Sequence, residues 1–125
     1  MAAPNIVNVT SIYGKTIGGT LSTSYTNYVT CPSNKVLKIN TIIISNTGSG
    51  GNSTNAATVD CFFFDSSAGS SRSLATTVNV PADSSLVLLD KNTSIYLEES
   101  DQIRAGASAN NELSILISYE EIDDA

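Results

Sequence analysis

The sequence predicts one all-β domain, an antiparallel β-sandwich of jelly-roll or immunoglobulin-like kind with eight or nine strands. Three observations predict it. Short apolar-alternating segments recur at a spacing of about 10–15 residues, with turn residues between them. No segment carries the 3.6-residue apolar period of a helix. The 125 residues, 41% of them hydrophobic, suffice for one core and show no linker or second domain, so residues 1–125 read as one unit.

The first candidate strand is Ile6–Ile12, followed by turn signals that end in Gly18–Gly19. Tyr25–Cys31 is the second, closed by Pro32. In Lys35–Asn46, Leu37, Ile39, Thr41 and Ile43 alternate with Lys38 and Asn40, while Ile42–Ile44 is apolar on both faces. Residues 46–55, NTGSGGNSTN, form a Gly/Ser/Asn loop. Ala57–Asp65 places Val59, Cys61 and Phe63 on one face, and Phe62 and Phe64 on the other.

After the small-residue loop SSAGSS, Arg72–Val80 sets Leu74, Thr76, Val78 and Val80 on one side, and Pro81 ends it. Ser85–Leu89, Ser94–Glu98 and Gln102–Ala107 follow. Asn110–Asn111 makes a turn, because Asn tolerates left-handed backbone. Glu112–Ile122 is last, with Leu113, Ile115, Ile117 and Tyr119 facing one way. The expected core is Ile39, Ile43, Val59, Phe63, Leu74, Val78, Leu86, Leu88, Ile95, Leu97, Ile103, Leu113, Ile115, Ile117 and Tyr119. Residues 2–12 read as an amino-terminal arm able to pair with a neighbour's sheet edge, and residues 120–125 as a short, fraying acidic tail.

Chemistry is sparse. The chain has no histidine, which removes the commonest general base and the usual Ser-His and Cys-His pairs. Glu98, Glu99 and Asp101, near Asp90, are residue types that suit a glycosidase pair or a Ca²⁺ site. Their position between two strands reads instead as a charged turn that solubilises a strand end. Residues 48–51, Gly-Ser-Gly-Gly, lack the Lys-Ser/Thr of a phosphate loop. Cys31 and Cys61 read as buried free thiols, with a disulfide open to them only where their two strands are neighbours. No catalytic residue, cofactor or metal ligand is assigned.

The net charge of −6 disfavours nucleic acid as a partner. No stretch approaches the roughly 18–20 apolar residues of a membrane span, so no membrane partner is expected. Residues 1–10, MAAPNIVNVT, show no basic region followed by an apolar one, so no secretory signal is read. Ser, Thr and Asn number 19, 13 and 12, and such an uncharged polar surface suits dense protein contacts. The candidate protein interface is Phe62 and Phe64 with Leu116, joined by Ile6, Val7 and Val9 of the arm. Tyr13, Tyr25, Tyr28 and Tyr96 are the rings a sugar could stack on.

An ordered set of segments carries a family resemblance over nearly the whole chain. It includes Ala-Pro-Asn-Ile-Val-Asn-Val (3–9), Tyr-Gly-Lys-Thr (13–16) and Lys-Val-Leu-Lys-Ile-Asn-Thr-Ile-Ile-Ile-Ser-Asn (35–46). Val-Pro-Ala (80–82), Leu-Val-Leu-Leu-Asp-Lys (86–91), Ser-Ile-Tyr-Leu-Glu-Glu (94–99), Asp-Gln-Ile-Arg (101–104), Ala-Ser-Ala-Asn (107–110) and Ile-Ser-Tyr-Glu-Glu-Ile (117–122) follow. In this set the chain resembles small virion structural proteins of tailed bacteriophages, especially those of marine cyanobacteria. It departs from them at Glu-Glu-Ser-Asp, where Glu-Glu-Gly-Asp is expected; Ser100 then costs something if the turn needs positive φ.

The resemblance implies a non-enzymatic β-sandwich, made in the host cytoplasm and carried on the outer surface of the virion. Its implied partners are the major capsid protein, other virion structural proteins or further copies of itself. Capsid decoration is the first expectation. A tail, neck, baseplate or fibre-associated role is the second, and a carbohydrate-binding module the third.

Overall fold

A computed structural model of the protein describes residues 9–48 and 55–124. Nine strands are present among these residues: β1 (Val9–Thr20), β2 (Thr26–Thr30), β3 (Lys35–Asn46), β4 (Ala57–Asp65), β5 (Ser70–Val80), β6 (Ser84–Leu89), β7 (Ile95–Leu97), β8 (Gln102–Ala107) and β9 (Leu113–Asp124). Every pairing is antiparallel, and the one helical element among the described residues is a 3-10 turn at Lys91–Thr93.

The topology is that of one long hairpin folded over. Its bend is the turn between β4 and β5, where Asp65 accepts the Ser67 and Ala68 N–H groups. From there outward β4 pairs with β5, β3 with β6 and β7, β2 with β8, and β1 with β9. Rolling this hairpin up gives two sheets, β1-β9-β3-β6 with β7 also on β3, and β2-β8-β4-β5. Of the two expected sandwich types this is the jelly roll. β6 and β7 form one broken strand along β3. Asp90 makes the break: its carboxylate accepts the Asn92 N–H at 2.9 Å, and its own N–H donates to Thr93 Oγ1 at 3.1 Å.

β1 is longer than the sequence suggests. It runs through Gly14, Gly18 and Gly19, paired with β9 residue by residue from Ile12 to Thr20. Gly19 is no turn: a Cβ there would lie 2.8 Å from the Tyr28 ring, so glycine is what lets Tyr28 close over the strand. The expected arm is already sheet by Val9, which pairs with Asp124. Ile6 and Val7 lie outside the described residues. The expected acidic tail is strand as well, since β9 continues to Asp124 between β1 and β3, and Lys35 pairs with Asp123 at 3.0 Å.

The core fills the space between the sheets, with Ile39, Val59, Leu97, Ile103, Leu113, Ile115 and Ile117 each at most 2% exposed, as expected. Phe63, Leu74, Val78, Leu86, Leu88, Ile95 and Tyr119 are partly buried against it. Ile43 is the miss. On β9 the partner of Ile39 is Tyr119 and that of Thr41 is Ser118, so Asn40 is an extra residue in β3. A one-residue bulge reverses the alternation. Ile42 and Ile44 therefore enter the core, both fully buried, and Ile43 turns outward.

β5 carries two such shifts against β4. They bury Ala75 and expose Thr76, the opposite of the expected sides. One shift surrounds Thr77, whose φ of 51° is costly for a β-branched residue.

Candidate functional site

Asp101 is a brace rather than a solubilising charge. It is 4% exposed. Its carboxylate accepts the Ser66 N–H at 2.9 Å and the Glu98 N–H at 3.0 Å, and its carbonyl accepts the Cys31 N–H at 3.0 Å. Three corners of the sandwich meet at this one residue. Ser100 turns the chain there with φ 70°, the conformation that favours glycine. Glu99 accepts the Asn34 N–H at 3.4 Å from the neighbouring corner. These carboxylates thus serve backbone N–H groups, and among the described residues no group of three or more His, Cys, Asp or Glu forms a metal-binding cluster.

Both cysteines are buried and free. Burial pushes the Cys31 thiol up to about 11 and the Cys61 thiol up to about 12, so neither is a nucleophile at neutral pH. A bridge between them is blocked by topology, because β8 lies between β2, which leads into Cys31, and β4, which holds Cys61. Two strand spacings are about 9.5 Å, beyond the reach of a disulfide.

An apolar cleft of about 190 Å³ opens between the sheets at the β5–β7 margin, lined by Phe63, Arg72, Leu74, Ile95 and Tyr96. It is smaller than the ~300–1,000 Å³ typical of small-molecule sites. The two sheet surfaces are therefore the larger candidates.

The outer face of the five-stranded sheet is apolar at its centre. Register places Gly18, Leu116, Ile43 and Val87 side by side across β1, β9, β3 and β6. Leu116 is 44% exposed and Val87 58%. Around this row lie Thr16, Thr20, Thr41, Ser45, Ser85, Ser114 and Ser118, several of them hydrogen-bonded in pairs across strands: Thr16 donates to Ser118 at 3.4 Å, and Ser45 and Ser85 share a bond of 3.0 Å. At the far end Ile12 is 53% and Tyr96 45% exposed, on the same face. Hydroxyls that already bond one another lose less on leaving water than charges do. Four strands abreast, about 35 Å long, offer on the order of 650 Å². A standard interface takes about 800 Å² from each partner.

The outer face of the four-stranded sheet is aromatic. Phe62 and Phe64 point there, as expected, and each is covered. Tyr25 meets Phe62 edge to face at 4.9 Å and 82°, and the Arg104 guanidinium lies 4.1 Å from the Phe64 ring centroid. Tyr25 donates to Asp60 Oδ2 at 2.9 Å, and this bond, followed by the Asp60 charge, raises the Tyr25 hydroxyl above its ordinary value.

The expected interface is thus divided. Phe62 and Phe64 lie on one outer face and Leu116 on the opposite one, with the core between them. Sequence reading missed Ile43 and Val87 as neighbours of Leu116. The two-sided apolar run Ile42–Ile44 was the available signal. Of the candidate rings, Tyr25 and Tyr96 are exposed, on opposite faces. Tyr13 is 53% exposed on β1, while Tyr28 packs over Gly19 and donates to the Thr20 carbonyl at 2.9 Å.

No family model matches this chain, and no curated protein does. Among solved structures, the chain is similar to one from a study of Bacillus endospore appendages, described as a novel family of disulfide-linked pili. The two share 14% identity at a TM-score of 0.56, over 92% of this chain and 88% of that one. A likeness at that identity establishes the shared sandwich fold.

Proposed function

We propose that this chain is a non-enzymatic structural protein of a tailed-bacteriophage particle, a capsid decoration protein seated on the major capsid protein lattice. The carrying observation is the outer face of the five-stranded sheet, where Leu116, Ile43 and Val87 form an apolar row within a bed of hydroxyls. Such a surface has a water-excluding centre and a polar rim, the anatomy of a protein interface. The resemblance to small phage virion proteins supports a place on the particle, and a small, acidic, helix-free domain with an uncharged polar surface favours decoration of the head.

The pilus-like neighbour is itself described as disulfide-linked. Both cysteines of this chain are buried, so it has no surface thiol for that mode of linkage. Non-covalent docking of a sheet face is the assembly mode its surface favours.

Counting tests the proposal. Quantitative mass spectrometry of purified virions should return hundreds of copies per particle, and labelled antibody should cover the head evenly. A few to tens of copies confined to one end would move the protein to the tail, neck, baseplate or fibre. Its absence from virions would overturn the proposal.

A further inference from the structure

Tyr25 is 61% exposed, yet it is fixed from three sides. Its hydroxyl is held by Asp60 at 2.9 Å, and its ring stands against Phe62 at 4.9 Å. It also lies over Gly106, where a Cβ would come within 2.6 Å of the ring, so only glycine permits this close approach. A tyrosine on a surface ordinarily samples several rotamers, and binding must then order it. Here that ordering is already done by the protein, and a wide aromatic face remains open to solvent.

Asp60 adjoins the ring, and Arg104 lies farther along the same face, its guanidinium 4.1 Å from the Phe64 ring centroid. Asp60 accepts from Tyr25 through Oδ2 and from the Thr77 N–H through Oδ1 at 2.5 Å, and each carboxylate oxygen has capacity for one more donor. Arg104 donates through Nε to Gln102 at 2.6 Å. Its terminal N–H groups have no acceptor among the described residues, and neither salt bridge found there involves it. Register sets Arg104 directly beside Phe62, and Gly106 beside Asp60, so the set occupies one patch of β4 and β8.

This combination selects a ligand. A flat aromatic face attracts C–H groups that carry partial positive charge. An acceptor-only carboxylate and a donor-only guanidinium together suit a neutral group that both donates and accepts. A sugar ring has both properties: a C–H face and a rim of hydroxyls. A nucleotide fits poorly, because a chain of net charge −6 repels phosphates.

We propose that Tyr25 and Asp60, with Arg104 farther along the same face, form a saccharide-binding platform on the outer face of the four-stranded sheet. One pyranose stacks on the Tyr25 ring with Asp60 accepting from its hydroxyl, and Arg104 donates to oxygens of the oligosaccharide farther along the face. The site lies across the core from the Leu116 face and does not depend on how that face is used. A particle protein docked by one sheet would present this platform outward.

The test uses the full chain, ¹⁵N-labelled, first on an array of neutral and uronate-bearing oligosaccharides and then in titration with the neutral oligosaccharide retained best. Amide shifts are expected to cluster at Tyr25, Asp60, Phe62, Arg104 and Gly106. Tyr25→Ala should weaken binding at least tenfold, and Tyr25→Phe, which keeps the ring but frees it from Asp60, by less. Tyr96→Ala, on the opposite face, should leave binding unchanged. Retention of no oligosaccharide by the wild-type chain would overturn the proposal. So would shifts clustered elsewhere, or full binding by a folded Tyr25→Ala.

Discussion

Ile39 and Ile42 share one core although they stand three positions apart, an odd spacing that a regular strand would send to opposite faces. The bulge at Asn40 reconciles the two. The same shift turns Ile43 outward to join Leu116 and Val87 on the face proposed to dock.

Alanine substitution should separate the neighbours. Ile42→Ala deletes a fully buried side chain and should cost about 2–5 kcal/mol in denaturant unfolding, as should Ile115→Ala, which is 2% exposed. Ile43→Ala should cost about 1 kcal/mol or less. Equal losses at 42 and 43 would contradict the bulge.

Asp101→Ala removes the acceptor for the Ser66 and Glu98 N–H groups at once. A loss of about 2–4 kcal/mol is expected from two bonds to a charged group. Asp101→Asn keeps one acceptor oxygen and should lose less. A loss under 0.5 kcal/mol for Asp101→Ala would show that the corners hold without it.

Thr77 offers the reverse effect. With φ at 51° and its N–H held by Asp60, it tolerates Asn better than a β-branched side chain. Thr77→Asn should stabilise the fold by about 0.5–1 kcal/mol, seen as a raised midpoint of thermal unfolding. A lowered midpoint would place the strain elsewhere.

Alkaline pH should weaken the fold. Burial raises the Cys31 and Cys61 thiols from an ordinary 9.0 to about 11 and about 12. Above pH 9 the unfolded chain therefore binds fewer protons than the folded one, and stability falls as pH rises through that window. Urea midpoints at pH 8, 9, 10 and 11 should decline, and Cys61→Ala should flatten the decline. Unchanged slopes in that variant would remove the thiol from the account.

Sequence legibility followed local regularity. Strands with unbroken alternation, such as β9, were read with the right face and nearly the right ends, and the jelly roll was one of two sandwich types expected. Alternation failed where an extra residue entered, at Asn40 and around Thr77, because a bulge has no residue signature of its own. The glycines of β1 resemble a turn in sequence, and only the distant Tyr28 ring explains Gly19. Asp101 looked like a surface charge because its partners, Ser66 and Cys31, come from corners remote in sequence. Phe62 and Leu116 were grouped by type, and only the pairing of strands shows that they face away from each other.

The central claim is that the protein docks on a phage head by its five-stranded sheet. A cryo-EM reconstruction of the virion tests it most directly. Density for this sandwich is expected on the capsid shell, with Leu116, Ile43 and Val87 against the major capsid protein and Tyr25 facing solvent. A shell without such density, or a sandwich seated with Tyr25 against the capsid, would contradict it.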